Sequence, residues 1–124
     1  MDITDGHTVR QFDSEIGSLR LSLLEMGALA LAQVEAAVEA LLDGDDEAAR
    51  AVIARDAEVN AYDSRVADET VKLLAQRAPL ARDLRVVVAV GRAVRDLERI
   101  GDEAKKIALY AIEIHAAGRR APLA

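Results

Sequence analysis

The chain has 124 residues, the size of one compact domain, and 52% of them are hydrophobic. It contains no cysteine, which excludes disulfides, thiolate metal sites and cysteine nucleophiles. Sixteen Lys and Arg against 22 Asp and Glu leave a net charge of −6. That balance argues against non-specific binding to nucleic acid, whose phosphates need a basic footprint.

Alanine supplies 25 residues and Leu, Ile and Val together 34, while Phe12, Tyr62 and Tyr110 are the only aromatics. Such a mix favours closely packed helices over an aromatic-rich sheet. The opening Met1-Asp2-Ile3-Thr4-Asp5-Gly6 lacks the basic-then-apolar order of a signal peptide. No uncharged run approaches the ~20 residues that cross a bilayer. A cytoplasmic, soluble helical domain without membrane insertion is expected.

The first helix is predicted over residues 8–43. Phe12, Ile16, Leu19, Leu23, Met26, Ala30, Ala37 and Ala40 recur at steps of three and four, with Gln33 the one polar member. Asp43-Gly44-Asp45-Asp46 then offers a glycine to end this helix and an aspartate to cap the next. The second helix is predicted over 46–76, where Val52, Val59, Tyr62, Val66 and Leu73 keep the same beat. Pro79 breaks the chain at a place where proline is tolerated only near a helix start. The third helix is predicted over 80–117, with Val87, Val90, Val94, Leu97, Gly101, Ala104, Ala108 and Ala111 along its seam. Gly118 and Pro122 supply its stop, and residues 1–7 and 119–124 read as frayed ends. Spacing near 3.5 residues and short connections predict an all-α, elongated, antiparallel three-helix bundle.

Four local motifs are more specific than this periodicity. Phe12-Asp13-Ser14-Glu15-Ile16 followed by Leu24-Glu25-Met26-Gly27 resembles the opening helix of the PhoU family. So does Val52-Ile53-Ala54-Arg55-Asp56-Ala57-Glu58-Val59-Asn60 in the second helix. Gln76-Arg77-Ala78-Pro79-Leu80-Ala81-Arg82-Asp83-Leu84-Arg85 is similar to the link between the family's second and third helices. Arg95-Asp96-Leu97-Glu98-Arg99-Ile100-Gly101-Asp102 resembles its helix-three motif. The matches stand in the right order from residue 12 to about 110. The family's usual chain carries two such repeats and this one a single repeat, so the resemblance implies either the N-terminal half of a longer protein, which is the expectation, or a naturally halved member.

The resemblance implies a non-catalytic negative regulator of phosphate-starvation signalling. Its expected partners are the ATPase subunit of the Pst phosphate transporter and the sensor kinase PhoR. A homodimer is also expected, because a lone repeat leaves uncovered the face that packs on its sister. Some family members hold iron or zinc on an acidic motif, here Glu98-Arg99-Ile100-Gly101-Asp102. Asp56 and Asn60 occupy the corresponding place on helix two, with Asn60 where the family often has a second acid. The expected set is therefore Glu98, Asp102, Asp56 and Asn60, with Asp63 one turn along, and a divalent, iron or zinc ion held weakly.

Spacing alone leaves two readings of that face open. Glu98 and Asp102 are four residues apart and repel on one helix face by about 0.2–0.5 kcal/mol. Either a cation held by carboxylate oxygens relieves this, or Arg95, Lys105 and Lys106 do. Arg85, Arg92 and Arg99 recur every seven residues. They read as a docking stripe for an acidic partner, or as a solvated face paired with Asp96 and Glu103. Glu113-Ile114-His115 lacks the Glu-x-x-His spacing of di-iron bundles, and no Gly-rich phosphate loop is present. The competing functional reading is a generic helical scaffold or dimerisation module.

Overall fold

A computed structural model describes residues 3–76 and 81–120, with side chains over 14–75 and 84–118. Three helices follow one another: α1 (Ile3–Asp43), α2 (Asp46–Gln76) and α3 (Ala81–Arg120). Each packs against both others. The side chain of Phe12 and the link around Pro79 lie outside the described residues.

The α1–α2 turn is built as its residues dictate. Gly44 adopts φ +70°, a conformation that costs glycine nothing and other residues more. The amide of Asp45 then donates to the carbonyl of Ala40 at 3.1 Å, closing a Schellman turn at the end of α1. Asp45 Oδ1 accepts from the amide of Ala48 at 3.0 Å and so caps α2. His115, near the far end of α3, fastens this corner. Its Nδ1 lies 2.6 Å from Asp46 Oδ1, and its Nε2 lies 3.3 Å from the carbonyl of Leu41.

Two helix ends differ from expectation. The first helix begins at Ile3 rather than near residue 8, and the third runs through Gly118 to Arg120. Gly118 is the residue expected to stop the third helix, and Gly6 lies within the extension of the first. A lone glycine costs a helix only about 1 kcal/mol, less than the neighbouring turns recover.

The core divides along the bundle. One part is built on Leu19, Met26, Val59, Val66, Leu73 and Val94, with Ile16, Leu23, Tyr62, Val87, Val90 and Leu97 packed around them. The other, next to the turn, is built on alanines 37, 40, 49, 104, 108 and 111 around Val52. Small side chains let helices pack closely. Gln33, 1% exposed, keeps its place in the seam because its Nε2 donates to the carbonyl of Val52 at 2.7 Å.

Candidate functional site

The family-like residues gather along the α2–α3 contact, and the antiparallel register decides who meets whom. Gly101 is buried in that contact, against α2. A Cβ built there would lie 3.3 Å from Val59 Cγ1 and 3.6 Å from Asp56 Oδ1. One turn toward the α1–α2 corner, Lys105 Nζ lies 3.9 Å from Asp56 Oδ2. In the other direction along α3, Glu98 meets Asp63, and the two carboxyl groups share a hydrogen bond.

That pairing has an electrostatic consequence. The hydrogen bond that protonated Glu98 donates to Asp63, partial burial, and the negative charges of Asp63 and Asp102 all favour the protonated form of Glu98. Arg95 opposes them, and the Glu98 carboxyl is pushed up from 4.5 to about 7. The pair borders a groove of about 460 Å³ between α2 and α3, walled by Val66, Val87 and Val94.

The four residues of the expected metal set therefore stand in different settings. Asp56 is buried and tied to Lys105, Glu98 turns to Asp63, and Asp102 and Asn60 are exposed. Among the described residues, no three His, Cys, Asp or Glu side chains converge to hold a metal ion. Of the basic neighbours, Arg95 acts on Glu98, while the two lysines pair with other acids among the described residues. Lys105 goes to Asp56, and Lys106 goes to Glu103 at 3.3 Å. Sequence reasoning missed the Asp63–Glu98 contact, because a cross-helix register is invisible to spacing within one helix.

The shared proton gives a stability prediction. Glu98 binds a proton more tightly in the folded chain than in the unfolded one. Its contribution is fully present below about pH 4.5 and is lost as the pH rises through about 7. Glu98→Gln keeps a donor for Asp63 and removes the titration. Urea unfolding should give variant and parent nearly equal stability at pH 5. At pH 8.5 the variant should be the more stable by up to about 1 kcal/mol, the scale of a solvent-screened surface pair. A parent advantage at pH 8.5 would contradict the shared proton.

On the outer side of α3, Arg85, Arg92 and Arg99 are all exposed. Among the described residues none of the three makes an ion pair; Glu103, one expected partner, is held by Lys106. Beside Arg85 and Arg92 lies a shallow, mainly apolar surface formed by Leu84, Val88, Ala89 and Ala93, with Asp96 also lining it. Arg85, Arg92 and Asp96 thus border an exposed apolar area on this side of α3.

The PhoU domain family matches residues 23–111, which span both the acidic contact and this stripe. The chain belongs to the PhoU family. It is 43% identical over 108 residues to the phosphate-specific transport system accessory protein PhoU homolog of Pseudomonas aeruginosa, covering 87% of this chain and 45% of that protein. It is 36% identical over 107 residues to the accessory protein PhoU of Escherichia coli strain K12, covering 86% and 44% respectively. The crystal structure of PhoU from Pseudomonas aeruginosa superimposes with a TM-score of 0.83 at 42% identity, over 86% of this chain and 51% of that one. The chain spans about half the length of the curated relatives it matches. A single PhoU-type three-helix repeat accounts for that coverage.

Proposed function

We propose that this PhoU repeat is a non-catalytic, cytoplasmic negative regulator of phosphate-starvation signalling, coupling the Pst phosphate transporter to the sensor kinase PhoR. The observation that carries this reading is the family match over residues 23–111, with relatives named as accessories of the phosphate-specific transport system. An accessory works by contact, and the surface suited to contact is the Arg85–Arg92–Arg99 stripe with its apolar centre. Basic residues steer an acidic partner into register, while Leu84 and Val88 supply the desolvation that holds it. The Pst ATPase subunit and the cytoplasmic region of PhoR are the partners assigned to this stripe.

The reading is tested in cells that lack their own PhoU and carry a phosphate-starvation reporter. Supplying this chain in phosphate-rich medium should lower reporter output at least several-fold. An unchanged reporter, with the chain present and folded, would count against the regulatory role.

A further inference from the structure

Three arginines keep one line along α3, and the residues between them give the line a direction. Arg85, Arg92 and Arg99 are exposed and stand seven residues apart. At ~1.5 Å per residue they recur every ~10.5 Å, over about 21 Å in all. Val87, Val90, Val94 and Leu97, which pack on the core, are rotated away from them. Val88 and Ala89 fall between the first two arginines, with Leu84 beside them. Val88 is 51% exposed and Leu84 49%. Exposed Asp96 falls between the second and third. Its neighbour Arg95 turns instead to the α2 side, where it acts on Glu98. Toward the C-terminus the line therefore runs basic, apolar, basic, acidic, basic. Among the described residues, none of its charged members forms an ion pair within the chain.

Resting on the docking role proposed above for the same stripe, we infer that this line receives an acidic amphipathic helix of a partner protein, laid along α3. An extended strand brings side chains to one face every ~6.7 Å, out of step with arginines every ~10.5 Å. A second helix, packed about 20° from the α3 axis, repeats at the same seven residues and stays in step over both intervals. Ala89 and Ala93 leave room for its backbone beside the taller Leu84 and Val88. Its matching face has acids opposite the arginines, an apolar residue opposite Val88, and a lysine or arginine opposite Asp96. Asp96 thereby works against a uniformly acidic segment, and so adds selectivity to attraction.

Other occupants fit the charges less well. A second copy laid stripe on stripe sets arginine against arginine. Nucleic acid is opposed by Asp96 and by the net charge of −6.

Two lactam-bridged helical peptides, labelled with fluorescein, probe the complete chain. One carries glutamate, leucine, glutamate, lysine and glutamate at alternating three- and four-residue steps. The other carries the reverse order, so that both helix senses are covered. Fluorescence anisotropy should show saturable one-to-one binding of one of them. A peptide of the same composition, with those five residues spread around the helix, should bind at least tenfold more weakly. Arg85→Glu/Arg92→Glu should lose the matching peptide at least tenfold, and should gain a counterpart whose two facing glutamates are lysines. Leu84→Ala/Val88→Ala, at exposed positions, should weaken binding at least threefold with the helical circular dichroism of the parent. Binding of neither sense overturns the inference, as does binding that ignores the charge swap. Flotation of the parent with phosphatidylglycerol vesicles, lost on the same reversal, would give the stripe to lipid and overturn it too. The starvation reporter separates this from the regulatory reading. Repression without peptide binding removes the helical partner and leaves the regulator; peptide binding with an unchanged reporter does the opposite.

Discussion

Replacing Gly101 with leucine should destabilise the chain by about 3 kcal/mol or more, the upper range for overpacking a close contact. The Cβ alone would stand 3.3 Å from Val59 Cγ1, and three further carbons would have to enter the α2–α3 contact. Val59 is 1% exposed and held by the core around it, so it cannot turn away cheaply. Separation of α2 from α3 would also pull Lys105 from Asp56 and leave a buried carboxylate without its partner. Gly101→Ala is the informative control. Its methyl group meets the same Val59, but alanine gains about 1 kcal/mol of helix propensity, and the two effects should nearly cancel. Urea midpoints measure both. A leucine variant within about 0.5 kcal/mol of the parent would show that the glycine of this motif is not there for close helix approach.

Reversing the α3 stripe should affect binding and spare the fold. Arg85→Glu/Arg92→Glu changes the local charge by four units beside an apolar surface. Both side chains are exposed and, among the described residues, unpaired, so the far-UV spectrum and melting point should stay those of the parent. Affinity for an acidic partner should fall at least tenfold, mostly through a slower association rate, and the salt dependence of that rate should flatten or change sign. Binding that ignores the double reversal would make the stripe a solvated face.

The periodic residues told most of the fold. Leu19, Met26, Val59, Leu73, Val94 and Ala104 stand at the seam positions their spacing assigns and are buried there. Gly44 and Asp45 close the turn for the reason their chemistry suggests. What spacing did not reveal depends on neighbours from another helix. Asp56 is a carboxylate at a seam position, 7% exposed, and it is tolerated because Lys105 reaches it across the contact. Asp63 pairs with Glu98 only through the antiparallel register, and that pairing draws Glu98 away from the ligand set its motif suggests. His115 reads as an isolated histidine near a helix end, yet it clasps the turn nearly 70 residues back in the chain. The outward leucines of α1 are hydrophobic like the inward ones, and only the fold separates the two faces.

Docking by this repeat is tested by direct titration. Purified chain titrated in a calorimeter against the isolated Pst ATPase subunit, and separately against the cytoplasmic region of PhoR, should give saturable one-to-one binding per chain. The affinity expected is micromolar, as befits a small signalling interface. It should be weakened by salt and by the Arg85→Glu/Arg92→Glu variant. Heats indistinguishable from dilution with both partners, at concentrations where the chain is shown to be folded, would contradict it.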